Sequence, residues 1–153
     1  MKIKHFATIL FLLTLVLSCD KLPSNGDLDG KWMLEHSYVR STPDASFDVH
    51  TDRRAESISW NFQLDLLSIV SYAAHNGETP ETVARFSVNG DRLDITKTYI
   101  HYRDRDVELT DPNTTCLEGV GIRGNADSYR IVSLSSGHLI LCSDTDSLIF
   151  AKK

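Results

Sequence analysis

The chain reads as all-β: a small up-and-down antiparallel β-barrel of about eight strands. Apolar and polar residues alternate at period two in run after run beyond Gly30. Short links rich in Asn, Asp, Ser and Gly separate the runs, and these are the residues that turns need. No segment sustains the 3.6-residue periodicity of a long helix. Successive strands with one apolar face each are best satisfied by closing the sheet, which removes both edges. A two-sheet sandwich is the other arrangement compatible with the pattern.

The strands are preceded by an address. Lys2 and Lys4 open the chain, Phe6 to Leu17 is an apolar run, and Val16-Leu17-Ser18-Cys19 ends it. A run this short falls well below the roughly 20 residues that cross a membrane as a helix. It is expected to be a lipoprotein signal peptide over residues 1–18, leaving Cys19 as the lipidated N-terminus. An ordinary signal peptide with Cys19 left as a thiol is the alternative. Lipid chains on Cys19 would hold the protein on a bacterial membrane, as an outer-membrane lipoprotein facing the periplasm or the cell surface. Residues 19–29 carry Pro, Gly, Asn, Ser and Asp without periodicity and read as a tether. Residues 30–153 make one domain, long enough for a single core.

In order along that domain, Trp32, Leu34, His36 and Tyr38 share one face of the first run. Ile58, Trp60, Phe62 and Leu64 alternate with Ser57, Ser59, Asn61 and Gln63, and a reversal near Asp65 leads into Leu66 to Tyr72. Ala84, Phe86 and Val88 precede Asn89-Gly90, expected to form a type I′ hairpin turn. Leu93 and Ile95 start the return strand, which continues toward Tyr102. Tyr129 to Leu134, Gly137 to Ser143 and Ser147 to Lys152 complete the meander. Two long segments interrupt it, Arg40 to Arg54 and Asp104 to Ser128. The second is expected to hold one short helix starting near Asp111-Pro112, with Asp as cap and Pro in the first turn.

Charge excludes some functions. The chain carries 16 Lys+Arg against 21 Asp+Glu, a net charge of −5. Loss of Lys2 and Lys4 with the signal takes it to −7, and no basic cluster remains, so no nucleic acid is expected as a partner. There is no CxxC, no HExxH and no calcium loop, so no metal centre or cofactor is expected. Cys116 and Cys142 lie in an oxidising compartment, either bridged or as separate thiols. No nucleophile elbow or phosphate-cradling glycine loop is present, which argues against an enzyme. Gly119 to Gly124 reads as an irregular loop needing permissive backbone angles.

Leu28-Asp29-Gly30-Lys31-Trp32 places a Gly-x-Trp at the start of the first strand. Together with Ser59 to Gln63, Leu66 to Ile69, Leu117 to Ile122 and the three closing runs, it resembles the small lipocalin-like (calycin-type) lipoproteins of Bacteroides-type bacteria. That resemblance implies a barrel whose Trp packs across the closed end. Within a barrel, Trp32, Leu34, His36, Tyr38, Trp60, Phe62, Phe86 and Tyr129 are expected to line the interior and to contact a small apolar or amphipathic ligand. In the alternative the same side chains fill the barrel, and the long loops present a surface to an envelope protein.

Overall fold

The computed structural model describes residues 25–72 and 81–153. The signal segment, Cys19 and the first half of the tether lie outside the described residues. Ten strands form among the described residues: β1 Gly30–Val39, β2 Val49–Asp52, β3 Ile58–Gln63, β4 Leu66–Ser71, β5 Glu81–Asn89, β6 Arg92–His101, β7 Asp106–Glu108, β8 Asp127–Leu134, β9 His138–Cys142 and β10 Asp146–Lys152. Eight of them make a closed antiparallel ring in the order β1-β3-β4-β5-β6-β8-β9-β10. The ring closes because β10 pairs back onto β1, from Trp32 opposite Lys152 to Val39 opposite Asp146. The expected barrel is therefore the fold.

The two further strands come from the interrupting segments. β2 pairs with the second half of β1, and all four of its residues are exposed. β7 pairs with the second half of β6 while β8 takes the first half. Neither strand is visible as alternation, because Val49-His50-Thr51-Asp52 and Asp106-Val107-Glu108 have no buried face to mark them.

Three bulges, one each in β1, β6 and β8, set which side chains face inward. In β1 the register against β10 slips between Leu34 and His36. Trp32 and Leu34 are buried, but beyond the bulge Ser37 takes the inward position. His36 and Tyr38 pair with Ile149 and Ser147 on the outer face. The expectation that His36 and Tyr38 line the interior is therefore corrected: one extra residue reverses every later side chain. In β6 a slip beside Thr96 does the same, so Leu93 and Ile95 point in, and then Thr98.

Three other expectations change. The β5–β6 hairpin places Gly90 and Asp91 in the turn, with Asn89 already paired to Arg92. Gly90 has φ 63° while neither Asn89 nor Asp91 is left-handed, so the turn has the single positive φ at its first position that type II′ requires, in place of type I′. Asp111-Pro112 does not start a helix. The Asp111 carboxylate accepts the Asn113 N–H at 2.9 Å as an Asx turn, and the one helical turn of this segment is a 3₁₀ turn at Glu118–Val120. Residues 25–29, expected as the end of the tether, are folded onto the barrel: Leu28, in a 3₁₀ turn at Gly26–Leu28, is buried.

Both ends of the barrel are covered. At one end Leu28 lies beneath Trp32, whose indole N–H donates to the Leu28 carbonyl at 2.8 Å. The Lys152 ammonium sits 4.9 Å from the centre of the Trp32 ring. At the other end the Leu117–Gly124 loop folds inward and buries Leu117 and Ile122.

Candidate functional site

The interior is the natural place to look for a site in a closed barrel of eight strands, which side chains nearly fill or which holds one small ligand. Trp32, Leu34, Trp60, Phe62, Phe86 and Tyr129 do converge there, joined by Phe150 in one continuous core. Trp60 is its centre. Its ring lies 5.2 Å from Phe150, 6.0 Å from Tyr129 edge-on and 6.1 Å from Phe62, and Phe62 in turn meets Phe86 edge-on at 5.1 Å. These are the separations of aromatic pairs in contact. Six of the eight residues predicted to surround a ligand thus join one core, while His36 and Tyr38 stand outside it.

The Leu117–Gly124 loop acts as a plug over this stack, and three consecutive carbonyls hold it. Arg53 donates to the Gly119 carbonyl, Trp60 donates its indole N–H to Val120 at 3.0 Å, and the Tyr129 hydroxyl shares its one proton between the Gly121 carbonyl and the Asp127 carboxylate. Gly121 has φ 97°, and a Cβ there would meet the Leu148 side chain at 2.9 Å. Only glycine lets the backbone turn this tightly against the stack.

A polar girdle locks the plug to the wall. Arg123 lies in a fork on Asp146, its Nε at 2.7 Å from one oxygen and its Nη2 at 2.9 Å from the other. Its Nη1 reaches Glu118 at 3.3 Å. Thr145 adds a hydroxyl bond to Asp146 at 2.5 Å. The Asp146 carboxylate raises the affinity of the guanidinium for its proton, so Arg123 stays charged. Asp127 accepts the Arg123 backbone N–H at 2.8 Å and lies 2.7 Å from the Tyr129 hydroxyl.

Burial pushes the Asp127 carboxyl above its ordinary 3.8, against the bonds from Arg123, Tyr129 and Ser128 that pull it down. Burial likewise pushes the Tyr129 phenol well above its usual range. The folded chain then holds the Asp127 proton more tightly than the unfolded chain does. Its contribution favours the folded state in acid and is lost as pH climbs from about 3.8 through the folded value. A carboxyl-carbon NMR titration is expected to put the Asp127 midpoint above 3.8, and a midpoint at or below 3.8 contradicts the assignment.

Cys116 and Cys142 are separate thiols, which removes the bridge alternative. Cys116 is exposed beside the Thr114 hydroxyl at 3.2 Å. Cys142 sits on β9 opposite Ser147 and Arg130, its thiol near the Ser143 carbonyl at 3.5 Å. Outside the wall, a groove of about 470 Å³ runs past Arg40, Arg92, Arg130 and the β9–β10 turn, and one of about 240 Å³ lies beside Leu66, Val83 and Tyr99. Both are lined mainly by outward or turn residues.

The closed ring, the Trp-capped end and the plugged mouth can be set beside known proteins. The family model for the lipocalin-like domain matches residues 11–153. The chain belongs to the lipocalin-like domain family. Among solved structures, it is similar to a lipocalin-like protein from Bacteroides uniformis, with 22% identity and a TM-score of 0.56, over 84% of this chain and 100% of that one. It is also similar to an uncharacterized protein from Bacteroides eggerthii, with 15% identity and a TM-score of 0.54, over 82% of this chain and 98% of that one. No curated protein matches. At these identities the likeness to solved structures speaks for the lipocalin-like fold alone.

Two features of this lipocalin-like barrel escaped the sequence reading. Asp146 lies in one of the short Asp- and Ser-rich links that separate the runs in the sequence, yet it is buried. The signal was present, since Asp146 falls in phase with the inward Leu148 and Phe150. The plug had no such signal, because its position depends on carbonyl acceptors that every residue type carries.

Proposed function

We propose that the chain is a lipid-tethered, non-catalytic lipocalin-like barrel of the bacterial cell envelope that acts through its outer surface on an envelope protein. The observation that carries this is the occupied interior: Trp60 touches Phe62, Tyr129 and Phe150, and the Leu117–Gly124 plug seals the stack. A barrel filled with its own side chains does not need a cargo to satisfy its core. The largely exposed Arg40–Arg54 segment, which includes β2, then carries recognition, as loops on a rigid scaffold commonly do.

Small-molecule carriage is the second reading. The family membership favours it, as does a mouth closed by a loop rather than by a strand. Lipid attachment at Cys19 supplies the envelope address for either reading.

Two measurements test the proposal. Cys19→Ala is expected to move the protein from the membrane fraction to the soluble one, and a variant that stays membrane-bound contradicts the anchor. Native mass spectrometry of the mature protein, extracted gently from its own host, is expected to give the mass of the lipidated polypeptide alone. A stoichiometric lipid or metabolite that survives repeated preparations overturns the filled barrel in favour of the carrier.

A further inference from the structure

The β1 bulge that removes His36 from the interior delivers it to a neighbour. On the outer face His36 Nδ1 lies 3.1 Å from His50 Nε2, carried by β2. The two rings are tilted by 44° with centroids 5.1 Å apart. Tyr38 stacks on His50 with ring centroids 4.6 Å apart. Both imidazoles face solvent across the β1–β2 pair, where His36 stands opposite Asp52 and Tyr38 opposite His50.

We propose that His36 and His50 form a two-imidazole chelate for a divalent transition-metal ion of the zinc, nickel and copper class, with water in the remaining positions. The proposal does not depend on what the barrel interior holds. Metal–imidazole bonds of about 2.0–2.1 Å put two adjacent nitrogens about 2.9–3.4 Å apart, for ligand angles from square to tetrahedral. The observed 3.1 Å falls inside that span, and turning each ring by roughly 40° off the N···N line brings both lone pairs onto one ion. In the metal-free pair one nitrogen donates a proton to the other. On binding, that proton moves to the far nitrogen of the same ring, and both facing lone pairs become ligands.

The surroundings fix the class of ion. Asp52 is the nearest carboxylate by register, but Arg54 occupies both of its oxygens at 2.6–3.2 Å. Among the described residues no group of three or more His, Cys, Asp or Glu side chains comes together for a metal. Nitrogen donors without carboxylates select borderline-soft ions and give calcium or magnesium nothing to hold. The site also explains β2: a strand that buries none of its residues adds little to the core, but a metal across His36 and His50 ties it to β1.

The test is calorimetric titration of the untagged, full-length mature chain in detergent with nickel, zinc, copper, calcium and magnesium chlorides. Saturable one-to-one binding is expected for the first three ions and no binding for the last two. His36→Ala and His50→Ala are each expected to weaken nickel binding by about tenfold or more, since even the loss of an outer-shell partner costs that much. Both side chains are outside the core, so unchanged thermal unfolding of the metal-free variants separates ligand loss from misfolding. In imidazole NMR spectra the His36 and His50 resonances are expected to move with nickel before those of His101 and His138. Equal affinity in the double variant, earlier shifts at His101 or His138, or no saturable binding at all overturns the proposal.

Discussion

Trp60→Ala is expected to lower folding stability by about 3–5 kcal/mol, the cost of emptying a fully buried aromatic site that cannot collapse. Three observations make this position expensive. The indole is wholly buried. It touches three other rings from three strands: Phe62 on β3, Tyr129 on β8 and Phe150 on β10. Its N–H is the donor that holds the Val120 carbonyl of the plug, so truncation also leaves a polar acceptor unmet. For a domain of this length the loss corresponds to roughly 10–20 °C in Tm. Trp60→Phe retains most of the ring stacking and is expected to lose less. Val132→Ala on the exposed face of β8 serves as control, with an effect within about 0.5 kcal/mol. A Trp60→Ala loss below about 1 kcal/mol would falsify the picture of a stack centred on this ring.

Asp146→Ala is expected to cost about 2–4 kcal/mol, because it strips the counter-ion from a guanidinium that has left bulk water. The Asp146 side chain is 8% exposed and that of Arg123 38%. The second figure places the cost below that of a fully buried pair, since solvent still screens part of the stranded charge. After the substitution Arg123 keeps only Glu118, at 3.3 Å and near the surface. The effect is also local. Arg123 anchors the plug, so amide exchange at Gly121, Ile122 and Arg123 is expected to rise more than at β3 or β9. Asp146→Asn keeps the shape and one acceptor, and is expected to fall between wild type and Asp146→Ala. Chemical denaturation with residue-resolved hydrogen exchange measures both effects. Uniform loss of protection across the barrel would mean that the pair serves the whole fold and not the plug.

The barrel was legible because its strands obey one rule over most of their length. Trp32 with Leu34, Trp60 with Phe62, Phe86 with Ala84, and Leu148 with Phe150 are inward as alternation requires. Where the rule failed, a bulge intervened. Nothing in Leu34-Glu35-His36 marks an extra residue, since the slip arises from the curvature that closure against β10 imposes. Sequence periodicity carries His36 straight through that point onto the wrong face. The same event makes the outward pair with His50, whose own strand is too short and too exposed to be seen as one. The plug lay beyond reach for a different reason. Gly119 to Gly124 gave away its irregular backbone, but the donors that fix it come from Arg53, Trp60 and Tyr129, far apart in the chain. Asp146 is the instructive case, because its inward phase was readable and was overridden by its polarity.

The central proposal is that the interior of this lipocalin-like barrel is filled by its own side chains. Titrating the mature protein with a long-chain fatty acid while following tryptophan emission tests it most directly, since Trp32 and Trp60 are both fully buried inside the barrel. No saturable change in emission is expected. A one-to-one saturable change that disappears in Trp60→Phe would contradict it, placing the ligand where the structure puts the ring stack.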